Sequence, residues 1–349
     1  DRQLHHRFIR GDPVTTDHRT RPTGLALTHE VGTAVTVHLA GIDILRYTYR
    51  PDTVQRESPK PYLHPVRTAG GALVTLARPH DHAWHTGIAW ALPHVGDDNF
   101  WGGPTFTGTA YEQLANNGRS EHVAVTDVRA DPGEVRFAHT LAWITEDGRH
   151  VVDEERTLTV RPAAGDWTLT FETRMRNVSG RDLSIGSPTT KGRENAGYGG
   201  LFWRGPRSFT GGTLHSPDGS GGEELRGTRH AWMGFTGLHD GTAVASSIVI
   251  VDDVRNPAHP PQWFARTEEF AGLCPAPFFS EELPFGADET LEFRYAVVVA
   301  DGAAGDGRAA TLAASGRDAL ERSRSGRADH HDSAPIATPA APTRKDPRA

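Results

Sequence analysis

Short runs of alternating apolar and polar residues recur from about residue 24 to residue 300, separated by Gly, Pro, Asp and Asn. A period of two is typical of a strand with one face in the core and the other towards water. The run DWTLTFETRMRN (166–177) shows it clearly, because Trp167, Leu169 and Phe171 fall on one face while Glu172 falls on the other. The pattern predicts an antiparallel β protein.

Other runs predict further strands in the same way. They are TAVTVHL (33–39), IDILRYTY (42–49), ALVTLA (72–77), GIAWAL (87–92), HVAVTDV (122–128), EVRFAHTLAWI (134–144), HVVDEERTLTV (150–160), TAVASSIVIV (242–251) and TLEFRYAVVVA (290–300). So many strands of this length favour two large packed sheets over a small barrel. We therefore expect an all-β fold, a large antiparallel β-sandwich.

The ends of the chain carry a different pattern. Abundant Ala and the helical spacing of Leu312 with Leu320 predict one short C-terminal helix over residues 307–323. Residues 1–22 and 324–349 lack a period and predict a disordered arm and a disordered tail. No internal repeat or linker interrupts the rest, so we expect a single β-sandwich catalytic domain over residues 23–323.

The composition is that of a soluble globular protein, with 36% hydrophobic and 23% charged residues. A formal net charge of -7 provides no basic field, so neither nucleic acid nor an anionic membrane is an expected partner. No apolar run reaches the roughly 18 residues of a membrane span, and the first residues are charged where a signal peptide is apolar. The single cysteine, Cys274, excludes an internal disulfide and is expected to be buried and inert. A cytoplasmic location is the expectation.

The segment RPHDHAWHTG (78–87) is the first place where chemistry is expected. Its Pro and Gly predict a loop, and loops on a rigid sheet often carry binding or catalytic residues. His82 and His85 lie on one side of a helical turn, so both imidazoles can reach one substrate or one ion. We expect Asp81 to orient an imidazole, and His80 and His94 to be structural.

A metal ion is an alternative use of the same histidines. The spacing is not that of the helical H-E-x-x-H motif, and a third ligand has to come from His64, Glu194 or His239. If a divalent metal is bound, we expect His82, His85 and His64 to hold it; otherwise the cofactor is unknown.

A second polar segment, GSPTTKGRENAGYGGLFWRG (186–205), is rich in glycine and hydrogen-bond donors. Its candidates for catalysis or binding are Lys191, Arg193, Glu194, Asn195 and Tyr198. Such a set suits a polyoxygenated or anionic ligand. The spacing of a phosphate loop is absent, so no nucleotide cofactor is expected.

Aromatic residues in polar company are the third candidate feature. Trp101, close to Asn99, and Trp203 have flat faces that could stack on the apolar face of a sugar. The expected substrate-binding residues are His64, Asn99, Trp101, Asn195, Trp203 and His239.

Several long motifs in fixed order carry a family resemblance. ESPKPYLHPVRTAGG, RPHDHAWHTGIAW, NFWGGPTF, GSPTTKGRENAGYGGLFWRGP, TGLHDG and PFFSEELPFG resemble the soluble bacterial PmoA-like family over roughly residues 24–320. The family label is "methane oxygenase PmoA", although this chain has no segment that could span a bilayer. The resemblance implies a β-sandwich similar to the sugar mutarotase superfold, in bacteria whose relatives often sit among sugar-transport and sugar-oxidoreductase genes. It therefore implies carbohydrate as the substrate.

Together these features predict a lyase or hydrolase that cleaves a glycoside already oxidised to a 3-keto sugar by a partner sugar dehydrogenase. A keto group acidifies the neighbouring proton, so one base and one oxyanion stabiliser suffice. The predicted roles are base or metal ligand for His82 or His85, oxyanion stabiliser for Lys191 and Arg193 or for a divalent metal, and acid for Tyr198 or Glu194. The alternatives are a sugar mutarotase or epimerase, a non-catalytic sugar-binding module and, more weakly, a metal-dependent oxygenase.

Overall fold

Two large antiparallel sheets pack against each other, which confirms the predicted β-sandwich. The computed structural model describes residues 24–163 and 165–328. One C-terminal helix, α1 (Asp306–Ala328), lies against one of the sheets.

The strands are numbered in chain order. The first eleven are β1 (Leu25–Glu30), β2 (Ala34–Leu39), β3 (Ile42–Thr48), β4 (Tyr62–Val66), β5 (Ile88–Ala91), β6 (His94–Val95), β7 (Thr105–Phe106), β8 (Tyr111–Glu112), β9 (Arg119–Asp131), β10 (Glu134–Ile144) and β11 (His150–Pro162). The others are β12 (Asp166–Asn177), β13 (Leu183–Gly186), β14 (Gly200–Arg204), β15 (Thr213–Ser216), β16 (Gly219–Gly221), β17 (Trp232–Leu238), β18 (Ala245–Asp252), β19 (Gln262–Arg266), β20 (Gly272–Ala276), β21 (Leu283–Phe285) and β22 (Thr290–Asp301). Short 3-10 turns lie at Gln55–Glu57, Thr189–Lys191, Arg207–Phe209 and Glu223–Leu225.

The sheets join strands that are distant in sequence. The eight-stranded sheet has the order β1-β2-β3-β4-β5-β14-β20-β19, and the nine-stranded sheet has the order β16-β15-β17-β18-β22-β12-β11-β10-β9. A three-stranded sheet, β21-β13-β6, and the hairpin β7-β8 complete the described strands.

The main core lies between the two large sheets. Trp90 of the eight-stranded sheet packs on Phe293 of the nine-stranded sheet with ring centroids 5.0 Å apart, and Trp203 packs on Phe235 at 5.1 Å. All four side chains are buried. Offset or tilted aromatic pairs of this kind add to the free energy gained by burying their area.

Helix α1 covers the outer face of the nine-stranded sheet. On β22, Val297 faces the main core, whereas Val298 packs in a second cluster with Leu312 and Leu320 of the helix. The predicted half-buried strand at 166–177 forms as β12, but its outer face is also buried at Glu172, because α1 packs against it. The period of two indicated the strand and could not show that a helix covers its polar face.

One predicted strand is wrong. The run ALVTLA (72–77) makes only isolated bridges at Leu73 and Ala77. Its backbone groups bond to two different neighbours, because the N–H of Val74 donates to Val66 and the N–H of Leu76 donates to Arg204. The segment therefore crosses from one strand to another instead of pairing along either.

The C-terminal helix is longer than predicted. It ends at Ala328 rather than at residue 323, and Arg324, predicted to lie in a disordered tail, donates to Asp253 at 2.7 Å. This ion pair attaches the last turns to the sheet. The predicted N-terminal arm (1–22) and the rest of the predicted tail lie outside the described residues.

Candidate functional site

A cavity opens on the outer face of the eight-stranded sheet, on the side away from the main core. Along β14, Leu201 and Trp203 point into the core between the sheets, whereas Phe202 points to this outer face. Phe264 of β19 and Cys274 of β20 share that outer face. Because both faces are covered, these central strands contain almost uninterrupted apolar runs.

The cavity has a volume of about 340 Å³, at the small end of the range for small-molecule sites. It brings together residues from the loop 78–87, the loop 99–104, the hairpin β7-β8, the segment 193–198 and the β19-β20 connection. The lining residues are His82, Trp84, His85, Trp101, Gly102, Pro104, Tyr111, Arg193, Tyr198, Phe264, Arg266, Glu269 and Phe270.

The loop 78–87 folds into two consecutive tight turns that bring its two candidate histidines together. The N–H of His82 donates to Pro79, and the N–H of His85 donates to His82, at 3.0 and 2.9 Å. As a result the imidazoles of His82 and His85 stack with centroids 4.9 Å apart. The loop is fixed at its base because Arg78 makes two hydrogen bonds to the carboxylate of Glu57, at 2.7 and 2.9 Å. The expected convergence of the two rings is present.

His85 lies deeper than His82 and is surrounded by aromatic rings. Phe202 lies 4.8 Å from it and Trp101 5.6 Å, centroid to centroid. Burial, followed by the positive charges of neighbouring His82 and Arg204, holds the pKa of His85 well below its usual value. Its Nδ1 atom is buried without a hydrogen-bond partner. The ring is therefore a neutral imidazole at neutral pH, and such a ring can accept a proton.

Asp81 lies beside His82 but is mainly bound elsewhere. Its Oδ1 accepts from Nη2 of Arg207 at 2.8 Å, while its Oδ2 lies 3.3 Å from Nδ1 of His82 without the alignment of a hydrogen bond. Burial raises its pKa, but hydrogen bonds, from its own backbone N–H and from Arg207 among others, outweigh burial and lower the pKa to about 2. Asp81 is thus a permanent carboxylate next to the cavity, outside its lining.

Arg193, Tyr111 and Tyr198 form a hydrogen-bonded group elsewhere in the lining. The Arg193 guanidinium donates to the hydroxyl of Tyr111 and lies over its ring, 4.6 Å from the centroid. The hydroxyls of Tyr111 and Tyr198 are 3.0 Å apart. Burial and the neighbouring Tyr111 raise the pKa of Tyr198 well above its usual value, so this phenol keeps its proton. The group can donate hydrogen bonds and stabilise negative charge.

Trp101 connects the two groups of polar residues. Its ring contacts both His85, at 5.6 Å, and Tyr198, at 4.6 Å between centroids. The side chain is buried except where it lines the cavity. It is the aromatic wall that the sequence predicted next to Asn99.

The loop that carries Trp101 is held by buried polar groups. Oδ1 of Asn99 accepts from the backbone N–H groups of Trp101 and Gly102, each at 2.9 Å. The ammonium of buried Lys60 donates to three carbonyls, those of Glu57, Ser58 and Trp101. Burial lowers the pKa of Lys60 to about 7. Lys60 was not predicted from the sequence, and it positions the aromatic wall.

Two glycines let this loop approach its neighbour. Gly102 and Gly103 have φ values of +104° and +68°, and a Cβ on either would lie 2.7 Å from the side chain of Trp84. Only glycine combines this backbone conformation with such close packing.

The connection between β19 and β20 supplies a charged edge of the cavity. Arg266 lies 2.5 Å from the carboxylate of Glu269 and 3.0 Å from that of Glu223. Phe270 separates Arg266 from a second cation, Arg204, whose guanidinium carbon lies 3.8 Å from the Phe270 ring centroid.

Several residues predicted for the site lie outside this cavity. Asn99 is buried and shapes the loop instead of facing a ligand. Trp203 is a core residue whose indole N–H donates to Val74, because β14 turns it to the inner face. Nδ1 of His64 hydrogen bonds with Thr75 at 2.9 Å.

Two further residues predicted for the site belong to other parts of the molecule. His239 hydrogen bonds with Ser246 at 2.7 Å at the far end of β17. Lys191 forms an ion pair with Glu282 at 2.7 Å and lines a different depression with His94. The chain turns at Gly192, φ +101°, so that Lys191 and Arg193 point to different cavities. Lys191 therefore does not lie in the cavity that contains His82 and His85.

Glu194 and Asn195 lie next to the main cavity. Both line a smaller cavity of about 170 Å³ that shares Arg193 and Tyr198 with the larger one. The segment 193–198 thus borders both.

The predicted three-histidine metal site is not formed. His82 and His85 converge, but His64 is bonded to Thr75 and does not line their cavity. Across residues 24–163 and 165–328 no group of three or more His, Cys, Asp or Glu side chains is arranged to hold a metal ion. The chemistry proposed for this cavity uses no metal ion.

Several lining residues were missed from the sequence. Phe264 and Arg266, in QWFAR, follow the period of two of a strand and so share a face, a signal that could have identified them. Tyr111 gave no signal, because it belongs to a two-residue strand of a polar hairpin. Phe202 does not line the cavity itself but packs behind His85 and Trp101, and the sequence favoured its neighbour Trp203 instead.

Comparisons with known proteins give a family and distant structural similarities. The model of a family described as "Family of unknown function (DUF6807)" matches residues 34–314. A search of curated proteins finds no match. Within the described residues, no helix is long and apolar enough to cross a membrane.

The solved structures that resemble this chain include two α-galactosidases and an epimerase. The α-galactosidase of Lactobacillus brevis has a TM-score of 0.36 and 8% identity over 82% of this chain and 40% of its own. That of Geobacillus stearothermophilus has 0.33 and 8%, over 80% and 41%. Galactose 1-epimerase from Lactobacillus acidophilus NCFM has 0.34 and 8%, over 80% and 98%. The chain thus spans less than half of the α-galactosidase structures, and TM-scores this low assign no activity to it.

Proposed function

The chain belongs to the DUF6807 family, whose function is unknown, and we propose that it is an enzyme that binds a sugar in the 340 Å³ cavity and cleaves a glycoside there by acid–base chemistry. The observation that carries the proposal is the convergence of two stacked imidazoles and the Arg193–Tyr111–Tyr198 group in one aromatic-walled cavity. Aromatic faces with a few fixed polar groups are typical of sites that hold sugars.

The chemistry assigned to these residues follows from their protonation states. Neutral His85, or its neighbour His82, accepts the proton from the carbon next to the keto group of a 3-keto-glycoside. The electron pair of that C–H bond forms an enolate, whose oxygen Arg193 stabilises. When the carbonyl re-forms, the electrons expel the substituent at the anomeric carbon, and protonated Tyr198 supplies the leaving group with a proton. Addition of water to the unsaturated product completes hydrolysis.

Other predictions of the sequence stay predictions. A partner sugar dehydrogenase would supply the keto sugar by oxidation, and a cytoplasmic location would suit both enzymes. The resemblance to the PmoA-like family is likewise a prediction, since the family found is DUF6807.

The test is release of the aglycone from matched glycosides and 3-keto-glycosides. The purified protein is incubated with both forms, and anomer exchange is followed by NMR in the same samples. We expect cleavage of the keto form only. Tyr198→Phe, and whichever of His85→Gln and His82→Gln removes the base, should lower kcat for at least one keto-glycoside by about 100-fold or more, because removing a proton-transfer group has effects of this size.

The matched control is His150→Gln, a substitution of an exposed histidine on the nine-stranded sheet. It should leave the rate unchanged. Faster anomer exchange without cleavage would instead indicate a mutarotase. Saturable sugar binding without either reaction would indicate a binding module.

A further inference from the structure

The smaller cavity of about 170 Å³ continues the main cavity and has a different lining. The two share Arg193, Tyr198, Phe264 and Arg266, so a ligand in one can extend into the other. The smaller cavity adds Arg226. Three guanidinium groups therefore border a space that holds several water molecules.

Two of these arginines are held in place by one carboxylate. Oε1 of Glu223 accepts from Nε of Arg266 at 3.0 Å, and Oε2 lies 3.2 Å from Nη1 of Arg226. The backbone N–H groups of Thr267 and Glu268 also donate to Glu223. Both oxygens of the Glu223 carboxylate thus have partners, and the carboxylate fixes both guanidinium groups before any ligand binds.

The arginines keep donors that the described residues do not use. Nε of Arg226 is buried without a hydrogen-bond partner. Arg193 donates to the hydroxyl of Tyr111, and no ion pair joins it to a carboxylate in the described part of the chain. Unpaired buried donors on cations are costly unless a ligand satisfies them.

Arginines outnumber carboxylates in the lining of the smaller cavity. Arg193, Arg226 and Arg266 line it together with one carboxylate, that of Glu194. Outside this lining, Glu223 pairs with Arg226 and Arg266, and Glu269 pairs with Arg266. The guanidinium groups that face the cavity therefore exceed the carboxylates that face it.

We propose that the smaller cavity is a subsite for an anionic substituent, a carboxylate or a phosphate, carried by the sugar in the main cavity. Guanidinium groups bind both anions through paired N–H donors. The inference rests on the proposed function and specifies it further, because the substrate becomes an acidic sugar or its glycoside. Arg226 and Arg266 bind the anion, and Arg193 spans the anion and the reacting part of the sugar.

The test compares sugars that differ only in charge. Calorimetry at pH 7 measures binding of glucose against glucuronate and glucose 6-phosphate, of galactose against galacturonate and galactose 6-phosphate, and of inorganic phosphate alone. At least one acidic form should bind about tenfold or more tightly than its neutral counterpart, and added salt should reduce the difference. Preference for the uronate or the sugar phosphate identifies the anion.

Variants locate the effect in the smaller cavity. Arg226→Gln should abolish the preference for the acidic sugar while binding of the neutral sugar changes less than threefold, because Arg226 lines only the smaller cavity. Arg193→Gln should also reduce the preference, and because Arg193 lines both cavities it should weaken binding of the neutral sugar as well. Arg193→Lys keeps the charge without the planar fork and should retain part of the preference. Arg176→Gln, on the exposed face of β12, is the control for net charge and should leave the preference intact.

Three results would overturn the subsite. Equal binding of neutral and acidic sugars removes the subsite and leaves the proposed function standing. Inorganic phosphate that binds as tightly as every sugar phosphate shows an anion site unrelated to sugar. If none of these sugars binds, the subsite fails, and the proposed function fails with it only if the keto-glycosides are also left uncleaved.

Discussion

Phe202 and Trp203 are neighbours in sequence and belong to different parts of the molecule. Phe202 packs against His85 and Trp101 in the cavity wall, whereas Trp203 packs against Phe235 between the sheets. Successive side chains on a strand point to opposite faces, so substitutions at the two positions should have different consequences.

Trp203→Ala should lower the free energy of unfolding by about 3–5 kcal/mol, because it leaves a cavity in the core and removes the hydrogen bond to Val74. Sugar affinity of the folded protein should be unchanged. Phe202→Leu should cost less than about 1.5 kcal/mol and should weaken sugar binding. Urea unfolding and calorimetry measure the two effects, and the assignment of faces is wrong if the pattern is reversed.

The residues of the site could be predicted from the sequence only in part. Five of the predicted residues do line the cavity: His82, His85, Trp101, Arg193 and Tyr198. They could be predicted because their segments carry side chains whose chemistry a plain loop does not need. The choice of Trp203 over Phe202 failed because composition does not show which face of a strand points to the core. The pairing of strands that are distant in sequence decides which face points to the core.

At the scale of an element, helix α1 is unusual in having a glycine at its contact with the sheet. A Cβ on Gly316 would lie 2.7 Å from Cγ2 of Val251 and 3.3 Å from Cγ2 of Val298. A Cβ on Gly307, in the first turn of the same helix, would meet nothing within 4 Å. Substitutions at these two positions therefore distinguish the effect of helix propensity on stability from the effect of packing.

Gly316→Ala should destabilise the protein although alanine is the better helix former. Overpacking costs about 1–3 kcal/mol, more than the roughly 1 kcal/mol that alanine gains in propensity. Gly307→Ala is the matched control and should stabilise the protein by about 0.5–1 kcal/mol. Thermal and urea unfolding report both values, and equal stabilisation by the two substitutions would contradict this packing of α1.

Elements were more predictable than their surroundings. The run EVRFAHTLAWI coincides with β10, because both an alternating pattern and turn residues at its ends define it. ALVTLA also contains β-prone residues and does not form a strand, since its hydrogen-bond partners lie on two different strands. A local pattern specifies the conformation of a segment and leaves its partners undefined.

At the scale of the whole molecule, burial makes many histidines harder to protonate in the folded chain than in the unfolded chain. Burial is the largest cause of a lowered pKa at His64, His85, His94, His122, His139, His215 and His239. For His94 burial, followed by the charge of Lys191, lowers the pKa to about 4 from the usual 6.5. Below pH 6.5 the unfolded chain therefore binds more protons than the folded chain.

The free energy of unfolding should accordingly fall as the pH decreases from about 6.5 to about 4, since protons then stabilise the unfolded state. His94 alone accounts for at most roughly 3 kcal/mol of this loss. His94→Gln should reduce the slope, and exposed His150→Gln should not. Urea unfolding at pH 7.5, 6, 5 and 4 measures the slopes, and parallel curves for wild type and His94→Gln would refute the assignment.

Strand β14 contributes Trp203 to the main core and, on its other face, Phe202, which packs behind His85 and Trp101 of the cavity. It is hydrogen bonded to β5 on one side and β20 on the other. Its amide protons are therefore expected to exchange with solvent deuterium only when the whole sandwich unfolds, whereas those of the loop 78–87 exchange through local opening. The slowest amides of the protein would lie directly beneath the place where the sugar is proposed to bind.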